Sequence, residues 1–448
     1  MNEPLSEALA GGALAARRRS LYLRVHFWAA LIASPFVLLA TLSGLLYVLV
    51  PQVEARLYGP LDHVAPGAAM LALDRSVDAA RGAVPDGLAV RSVLPAFGRG
   101  DSVRVLFEPA RTHAASAHHH GAPPAATQAA RPLTVFVNPY DARVLGVQNT
   151  GERFSDWSRN LHSRLLQGEG WRWMIELAAS WLLVMLLTGV VLWWPRPGRS
   201  GLPRAGKRGR AAWRQWHAFA GAALGLLSLV MVVTGITWSQ YAGEQVRRLR
   251  DLAGQASPRA PAHLQSNAVP GMAPLDWQGA WTRARQAAPP VAMSLTAPDG
   301  PQGVWRAAAA DRSAPTRRFD LVLDAYDGRV LYREGWEAQT AFGKATAVGI
   351  PFHRGEFGLW NQLLLFLFGA GVLFSLLSGW VMFFKRRRGG GLGLPALLPA
   401  LSPGAWRAAS PLVLTGSVLL CALLPLLAVS AAAVLMCEWL LSRRARPA

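Results

Sequence analysis

Four apolar runs, Phe27–Val50, Met174–Trp194, Ala218–Trp238 and Leu359–Phe384, constrain this chain more than any other feature. Each reaches the length of about 20 residues that a helix needs to cross a hydrocarbon core of roughly 30 Å. Inside a bilayer every backbone group must be satisfied within the chain, so such runs fold as helices. The runs also repeat. The steps Ser43-Gly44 and Thr234-Gly235 lie 191 residues apart, as do His26 and His217, and again His162 and His353. The reading is an α-helical integral membrane protein built from a duplicated helix–α+β module–helix unit. Its four helices form a core bundle, and a C-terminal apolar helical region follows.

Charge placement gives an orientation. The net charge of +20 suggests a nucleic-acid partner until it is mapped. Residues 1–25 hold four Arg against two Glu, 195–216 seven Lys/Arg and no acid, 385–407 five and no acid, and the tail after Ser442 three Arg. Basic residues gathered in short loops at alternate helix ends follow the positive-inside rule. The expected partner is therefore membrane lipid and not nucleic acid. The N-terminus is expected in the cytoplasm, and the two long loops, about 51–173 and 239–358, on the far side of the membrane. The first apolar run, preceded by Arg17-Arg18-Arg19 and followed by no small-x-small cleavage site, reads as an uncleaved anchor. Trp171, Trp173, Trp193, Trp194, Trp213 and Trp216 read as interfacial belts. Cys421 and Cys437 read as small buried apolar residues, with no disulfide framework.

The expected organisation is a cytoplasmic N-terminus over 1–25, a first span over 26–50, and a first extracytoplasmic module over 51–161. A second span with its outer histidine covers 162–195, a basic cytoplasmic loop 196–216, and a third span 217–238. The second module covers 239–352, a fourth span with its outer histidine 353–384, and a second basic loop 385–408. Residues 409–441 read as a transmembrane hairpin or a single kinked helix. The apolar region Pro411–Leu441, 31 residues, is long for one crossing, and only a hairpin returns Arg443 and Arg444 to the basic side. Within the modules, short helices are expected near Leu73–Ala83 and Trp277–Ala288. Val137–Leu145 and Leu323–Leu331 share a Tyr-Asp-x-Arg-Val-Leu pattern that reads as strand–turn–strand. Arg111–Arg131, rich in Ala, His and Pro and carrying His113 and His118–His120, reads as a solvated insert in the first module.

The four registered histidines are the candidate site. A single histidine near a helix end is usually an interfacial hydrogen-bonding group, but four in duplicate register call for a shared role. Ionisable side chains near hydrocarbon are costly and usually functional. Haem b in a helix bundle needs axial imidazoles with small residues around them. Ser43-Gly44, Thr188-Gly189, Thr234-Gly235, Ser378-Gly379, Gly221, Gly225, Gly369 and Gly371 supply such positions. The expectation is two haem b groups, one held by His26 and His217 near the cytoplasmic face and one by His162 and His353 near the other. His353 to Lys385 is ~48 Å as straight helix, longer than the core, so a bend at Gly355 and Gly358, and another at Gly168 and Gly170, is expected. His63, His113 and His263 share no register.

Several motifs resemble the PepSY-associated transmembrane (PepSY-TM) family: Arg24-Val25-His26-Phe27-Trp28, Asn160-Leu161-His162-Ser163, Thr188-Gly189-Val190-Val191-Leu192-Trp193-Trp194-Pro195-Arg196, Trp213-Arg214-Gln215-Trp216-His217 and Pro351-Phe352-His353-Arg354-Gly355-Glu356-Phe357-Gly358. The resemblance covers about residues 17–388, and the Ala/His-rich insert departs from it. Members include inner-membrane haem reductases that release iron from siderophores. The resemblance thus implies His26, His162, His217 and His353 as haem-iron ligands and a ferric siderophore or similar metal chelate as acceptor. Electrons would come from a cytoplasmic flavoprotein or quinol, since no GxGxxG motif in a strand–helix setting binds NAD(P)H here. Two other classes stay open. One is a non-redox PepSY module that binds or regulates a periplasmic protease or senses a ligand. The other is a transporter, for which Glu176, near the outer end of the second helix, is the main acidic residue and reads as a proton relay or an interfacial group.

Overall fold

The computed structural model describes residues 3–109, 131–194, 201–268, 271–386, 398–399 and 401–444. Most of the Ala/His-rich insert, with His113 and His118–His120, lies outside these residues, as do parts of both basic loops.

Helix α1 (Glu3–Val48) runs unbroken through Pro35 and continues after a single residue as α2 (Val50–Asp62). Four helical stretches are long and apolar enough to cross a membrane: Gly11–Val48, Glu169–Trp193, Leu359–Lys385 and Pro425–Arg443. A fifth consists of α6 (Gly209–Ala223) and α7 (Gly225–Ile236), bent by 56°. Leu224 alone separates these two helices, next to Gly225, and glycine is a common site of such kinks. The sequence reading places a single span over 217–238 there. Where these helices meet, they bury Ala29, Ala33 and Val37 of α1 against Ala178 and Trp181 of α5 (Trp173–Trp193), Val232 and Ile236 of α7 and Leu376 of α11 (Leu359–Arg386). Alanine at the contacts lets helix backbones approach closely, which drives association in lipid where the hydrophobic effect does not. Large side chains such as Leu226, Leu367 and Leu377 point outward and are exposed.

Between the helices the chain builds one antiparallel sheet from both long loops. The first loop gives α3 (Leu73–Arg81), β1 (Leu88–Leu94), β2 (Val103–Pro109), β3 (Leu133–Val137) and β4 (Val144–Asn149). The second gives α8 (Tyr241–Leu252), α9 (Trp277–Ala287), β5 (Met293–Thr296), β6 (Val304–Ala309), β7 (Phe319–Asp324) and β8 (Val330–Gly335). The strand order is β4-β3-β2-β1-β5-β6-β7-β8. The β1–β5 seam pairs Ser92 with Thr296 and Val93 with Leu295, so strands expected in two modules share one sheet. They also share one core, in which Val77, Val93, Val105, Phe107 and Val135 pack with Trp277, Ala280, Leu295, Trp305 and Leu321. Alternate residues of β2, β3, β5, β6 and β7 supply it, as half-buried strands require. The two helices on that face are stitched at their starts. Asp74 accepts the amides of Trp277 and Gln278 at 3.0 Å each, and Gln278 accepts the Leu73 amide at 2.9 Å.

Each edge strand leads into a helix that carries one of the four registered histidines. β4 leads to α4 (Phe154–Arg164), with His162, and β8 to α10 (Ala341–Arg354), with His353. Neither helix is continuous with the span after it. α4 ends on Leu165 and Leu166, both left-handed, and Gly168; α10 ends on Gly355 and reaches α11 through Gly358. These breaks absorb the excess length between histidine and basic loop.

The C-terminal region is α12 (Pro411–Leu423) and α13 (Pro425–Arg444), separated by Leu424. Arg18 bonds the Ala408 carbonyl at 3.0 Å, and Arg24 bonds Glu438, so both ends of the region lie beside the start of α1. The geometry is that of a hairpin turning at Leu424-Pro425. Leu424 and Leu427 are buried in the helix core, Cys421 is half-buried, and Cys437 is exposed rather than buried.

Candidate functional site

Each of the four histidines is held by a hydroxyl on another helix. His26 Nδ1 lies 3.0 Å from Thr188 Oγ1, and His162 Nδ1 lies 3.0 Å from Ser43 Oγ. His217 Nδ1 lies 3.0 Å from Ser378 Oγ, and His353 Nδ1 2.8 Å from Thr234 Oγ1. These hydroxyls belong to the Ser/Thr-Gly steps picked out in the sequence, but each step serves a histidine of a different helix. Within the step the glycine lies beside the ring. A Cβ on Gly44, Gly189, Gly235 or Gly379 would sit 3.4–3.7 Å from the Cε1 atom of its histidine. The imidazole edge therefore rests against bare helix backbone. Gly221 and Gly225 face open space, and Gly369 and Gly371 pack on Leu45 and Leu224, so none of these four touches a histidine.

Hydrogen-bond logic assigns the tautomer. A hydroxyl has one proton to give. Thr188 Oγ1 donates to the Val184 carbonyl at 2.7 Å, Ser43 Oγ to Leu39 at 2.7 Å, Thr234 Oγ1 to Val230 at 2.7 Å, and Ser378 Oγ to Ser375 at 2.9 Å. Each oxygen is then an acceptor toward its histidine, so each Nδ1 carries the proton. For His217 the case is direct, because Nδ1 also lies 3.0 Å from the Ser375 carbonyl, which can only accept. On all four rings Nε2 is left with its lone pair, which is how a second partner fixes a histidine for metal binding.

The histidines meet in pairs. The rings of His26 and His217 have centroids 6.4 Å apart and planes at 84°. His353 lies within electrostatic reach of His162. An imidazole nitrogen sits about 2 Å from a bound first-row metal and roughly 1 Å from its own ring centre. Two axial rings on one iron therefore have centroids roughly 6 Å apart, which the His26–His217 spacing matches. Among the described residues no group of three or more His, Cys, Asp or Glu could hold a metal ion. Two protein ligands fall short of a bare zinc site, but they suffice where a macrocycle supplies the remaining four nitrogens.

Motif residues beside His26 and His353 meet two residues that the sequence reading passed over, Tyr47 and Glu438. Beside His353, Arg354 Nε lies 2.9 Å from the Tyr47 hydroxyl and 3.0 Å from Glu356 Oε1. Beside His26, Arg24 and Trp28 both bond Glu438. A carboxylate inside the apolar run of the C-terminal helix is the signal that could have revealed Glu438. Glu176, considered as a proton relay, is an N-terminal cap. Its buried carboxylate accepts the amides of Tyr241 and Ala242 at 2.8 Å each, at the start of α8. His63 lies at the sheet, exposed and 3.8 Å from Asp101, away from both pairs. A cavity of about 840 Å³ opens in the sheet region, lined by Arg81, Asp86, Phe107, Trp277, Trp305 and Tyr326 among others, and includes none of the four histidines.

Fold and site define a helical membrane protein with several apolar helices able to span a bilayer and an antiparallel sheet outside them. The sequence model of the PepSY-associated TM region matches residues 23–386, and the chain belongs to that family. Comparison with curated proteins gave no match.

Proposed function

We propose that this is a di-haem transmembrane electron-transfer protein of the bacterial inner membrane. One haem b would lie between His26 and His217 and another between His162 and His353. The observation that carries the reading is the fourfold histidine device: four Nδ1–H imidazoles with free Nε2 atoms, one facing pair spaced for a single iron. Bound there, haem would supply one-electron chemistry. The protein's own contribution is to hold each ring by a hydroxyl and a glycine, so that little rearrangement accompanies a change of charge at the metal.

The 191-residue register supports a tandem duplication of a helix–α+β module–helix unit with a four-helix core bundle. On α1, His26 and Ser43 are 17 residues apart, about 26 Å of helix. The two pairs would thus lie near opposite faces of the membrane. The basic loops support a cytoplasmic N-terminus and a periplasmic sheet. Electrons would enter from a cytoplasmic flavoprotein or quinol. They would leave to a ferric siderophore or another metal chelate, reducing Fe(III) to Fe(II) by one electron each. A periplasmic acceptor of that size would meet the outer pair beneath the sheet, where Arg354 and Glu356 lie.

The first test is the absorption spectrum and haem content of the purified protein. Two haems per chain and reoxidation of the dithionite-reduced protein by ferric chelates are expected. A colourless protein would sink the proposal. It would favour a second reading, a non-redox module that binds a ligand or regulates a protease, for which the cavity in the sheet is the supporting observation.

A further inference from the structure

We infer that Arg354 is a carboxylate receptor at the mouth of the outer pair, His162 and His353; this rests on the di-haem reading above. Arg354 follows His353 at the end of α10 and lies within electrostatic reach of its ring. Its Nε donates to the Tyr47 hydroxyl at 2.9 Å and stands 3.0 Å from Glu356 Oε1. The guanidinium carbon lies 5.7 Å from the centre of the Tyr47 ring. Tyr47 is one turn along α1 from Ser43, the residue that holds His162, so both share a face of that helix. Those four residues span about 6 Å of helix. α1 and α10 are thus bridged just beyond the outer pair, on the side away from His26 and His217.

The bridge occupies only one nitrogen of the guanidinium. Among the described residues nothing accepts a hydrogen bond from Arg354 Nη1 or Nη2, and neither atom is sealed from solvent. Other arginines packed into this chain close bidentate forks. Arg153 donates to both oxygens of Asp62 at 3.0 and 2.5 Å, and Arg24 to both oxygens of Glu438 at 2.7 and 3.1 Å. Glu356 gives Arg354 one oxygen, and its Oε2 is buried without a hydrogen-bond partner. The feature occurs once. The position 191 residues before Arg354 is Ser163, whose hydroxyl donates to the Arg159 carbonyl at 2.8 Å.

A planar guanidinium with two unused amino groups receives a carboxylate through parallel hydrogen bonds. Two sources of carboxylate meet at this point. Haem carries two on one edge, and near hydrocarbon they need a cation. A ferric chelate arriving beneath the sheet can present one of its own. Arg312 and Asp311 of the β6–β7 loop lie within electrostatic reach of Glu356, so the sheet reaches the same place. Arg354 attracts either carboxylate and Glu356 repels it. Opposite effects of these two residues are therefore the signature of a receptor, and equal damage that of a structural ion pair. Loss of a charge-assisted contact changes binding roughly 10- to 100-fold.

The test uses the full-length protein with R354Q, R354K and E356Q, and a His353→Ala protein to mark the outer haem signal. Haem transfer to apomyoglobin measures retention. Stopped-flow reoxidation compares ferric citrate, which carries carboxylates, with a neutral ferric trihydroxamate. If the carboxylate is the haem's, R354Q releases the outer haem roughly 10- to 100-fold faster, R354K falls between, and E356Q holds it at least as firmly as wild type. The other haem should not change. If the carboxylate is the acceptor's, haem retention stays the same. R354Q then slows ferric citrate by a similar factor and spares the trihydroxamate, while E356Q speeds ferric citrate. Wild-type behaviour of R354Q in both measurements, or losses in E356Q that match those in R354Q, would overturn the receptor. Should R354Q not fold, R354K keeps the charge beside Glu356 and must still show the partial loss; no loss there also overturns it. A wild-type protein without haem would instead sink the functional reading beneath it.

Discussion

The first and second halves of the chain carry the same histidine device in different local frames. In the first half, His26 rests on Thr188-Gly189 and His162 on Ser43-Gly44; in the second, His217 rests on Ser378-Gly379 and His353 on Thr234-Gly235. The hydroxyl partner comes from the same half in all four cases, while His26 faces His217 of the other half. Around this core the halves diverge. α1 is continuous where α6 and α7 bend by 56°, and the C-terminal hairpin bonds the spans of the first half, through Arg24 on α1 and Trp181 on α5. α4 ends on left-handed Leu165 and Leu166 where α10 ends on Gly355. The positions of ring, hydroxyl and glycine are thus matched in space while the connections vary. Orientation of the imidazoles is the shared requirement, and the path of the chain between them is not.

The largest expected effect breaks both halves alike. Alanine at His26 or His217 should remove one haem per chain, and alanine at His162 or His353 the other, read by haem quantification. Unequal losses within a pair would show that the halves do not share each metal. The next effect separates the four supports. Thr188→Val or Thr234→Val keeps the shape and removes the acceptor for Nδ1–H, and haem affinity at that site should fall about 10- to 100-fold. Ser378→Ala should cost less, because the Ser375 carbonyl still accepts from His217. Equal losses in all three would mean that the hydroxyl does not act through the tautomer.

A third comparison lies in the two hairpins of the sheet. The β3–β4 turn is held by neutral Asn138, which accepts the Tyr140 amide at 3.0 Å. The β7–β8 turn is held by Asp324, buried and accepting amides of Asn267, Tyr326 and Asp327 at 2.9, 2.8 and 3.3 Å. Burial works against the Asp324 charge, but these three amides and Arg329 outweigh it and hold its carboxyl below the usual range. A depressed pKa contributes stability that is present above about pH 4, the unfolded value, and is lost as pH falls through the folded one. Hydrogen exchange should show the β7–β8 turn opening in acid before the β3–β4 turn. Asp324→Asn should remove that pH dependence.

The smallest effect concerns the same two turns. Ala142 and Gly328 occupy matching positions at φ 57° and 70°. A left-handed Ala costs roughly 1–2 kcal/mol, so Ala142→Gly should stabilise the first hairpin by about 1 kcal/mol in thermal unfolding. Gly328→Ala should destabilise the second by more, since its Cβ would meet Arg283 Cγ at 2.8 Å and Leu275 Cδ1 at 2.9 Å.

By itself the sequence determined what is local or periodic. Run length and apolar content marked the helices able to cross a membrane. Turn residues marked both hairpins. The 191-residue register singled out four histidines and the steps Ser43-Gly44 and Thr234-Gly235, and the apolar runs showed two more such steps, Thr188-Gly189 and Ser378-Gly379. Only the tertiary structure decided what depends on contacts far apart in the chain. It assigned each hydroxyl to its histidine, brought His26 against His217, and joined the strands of both loops through Val93 and Leu295. It also laid Glu438 against Arg24, 414 residues away. Period-two and period-3.6 patterns tell a side chain which face it occupies, but not which distant face it meets. That choice is made by packing.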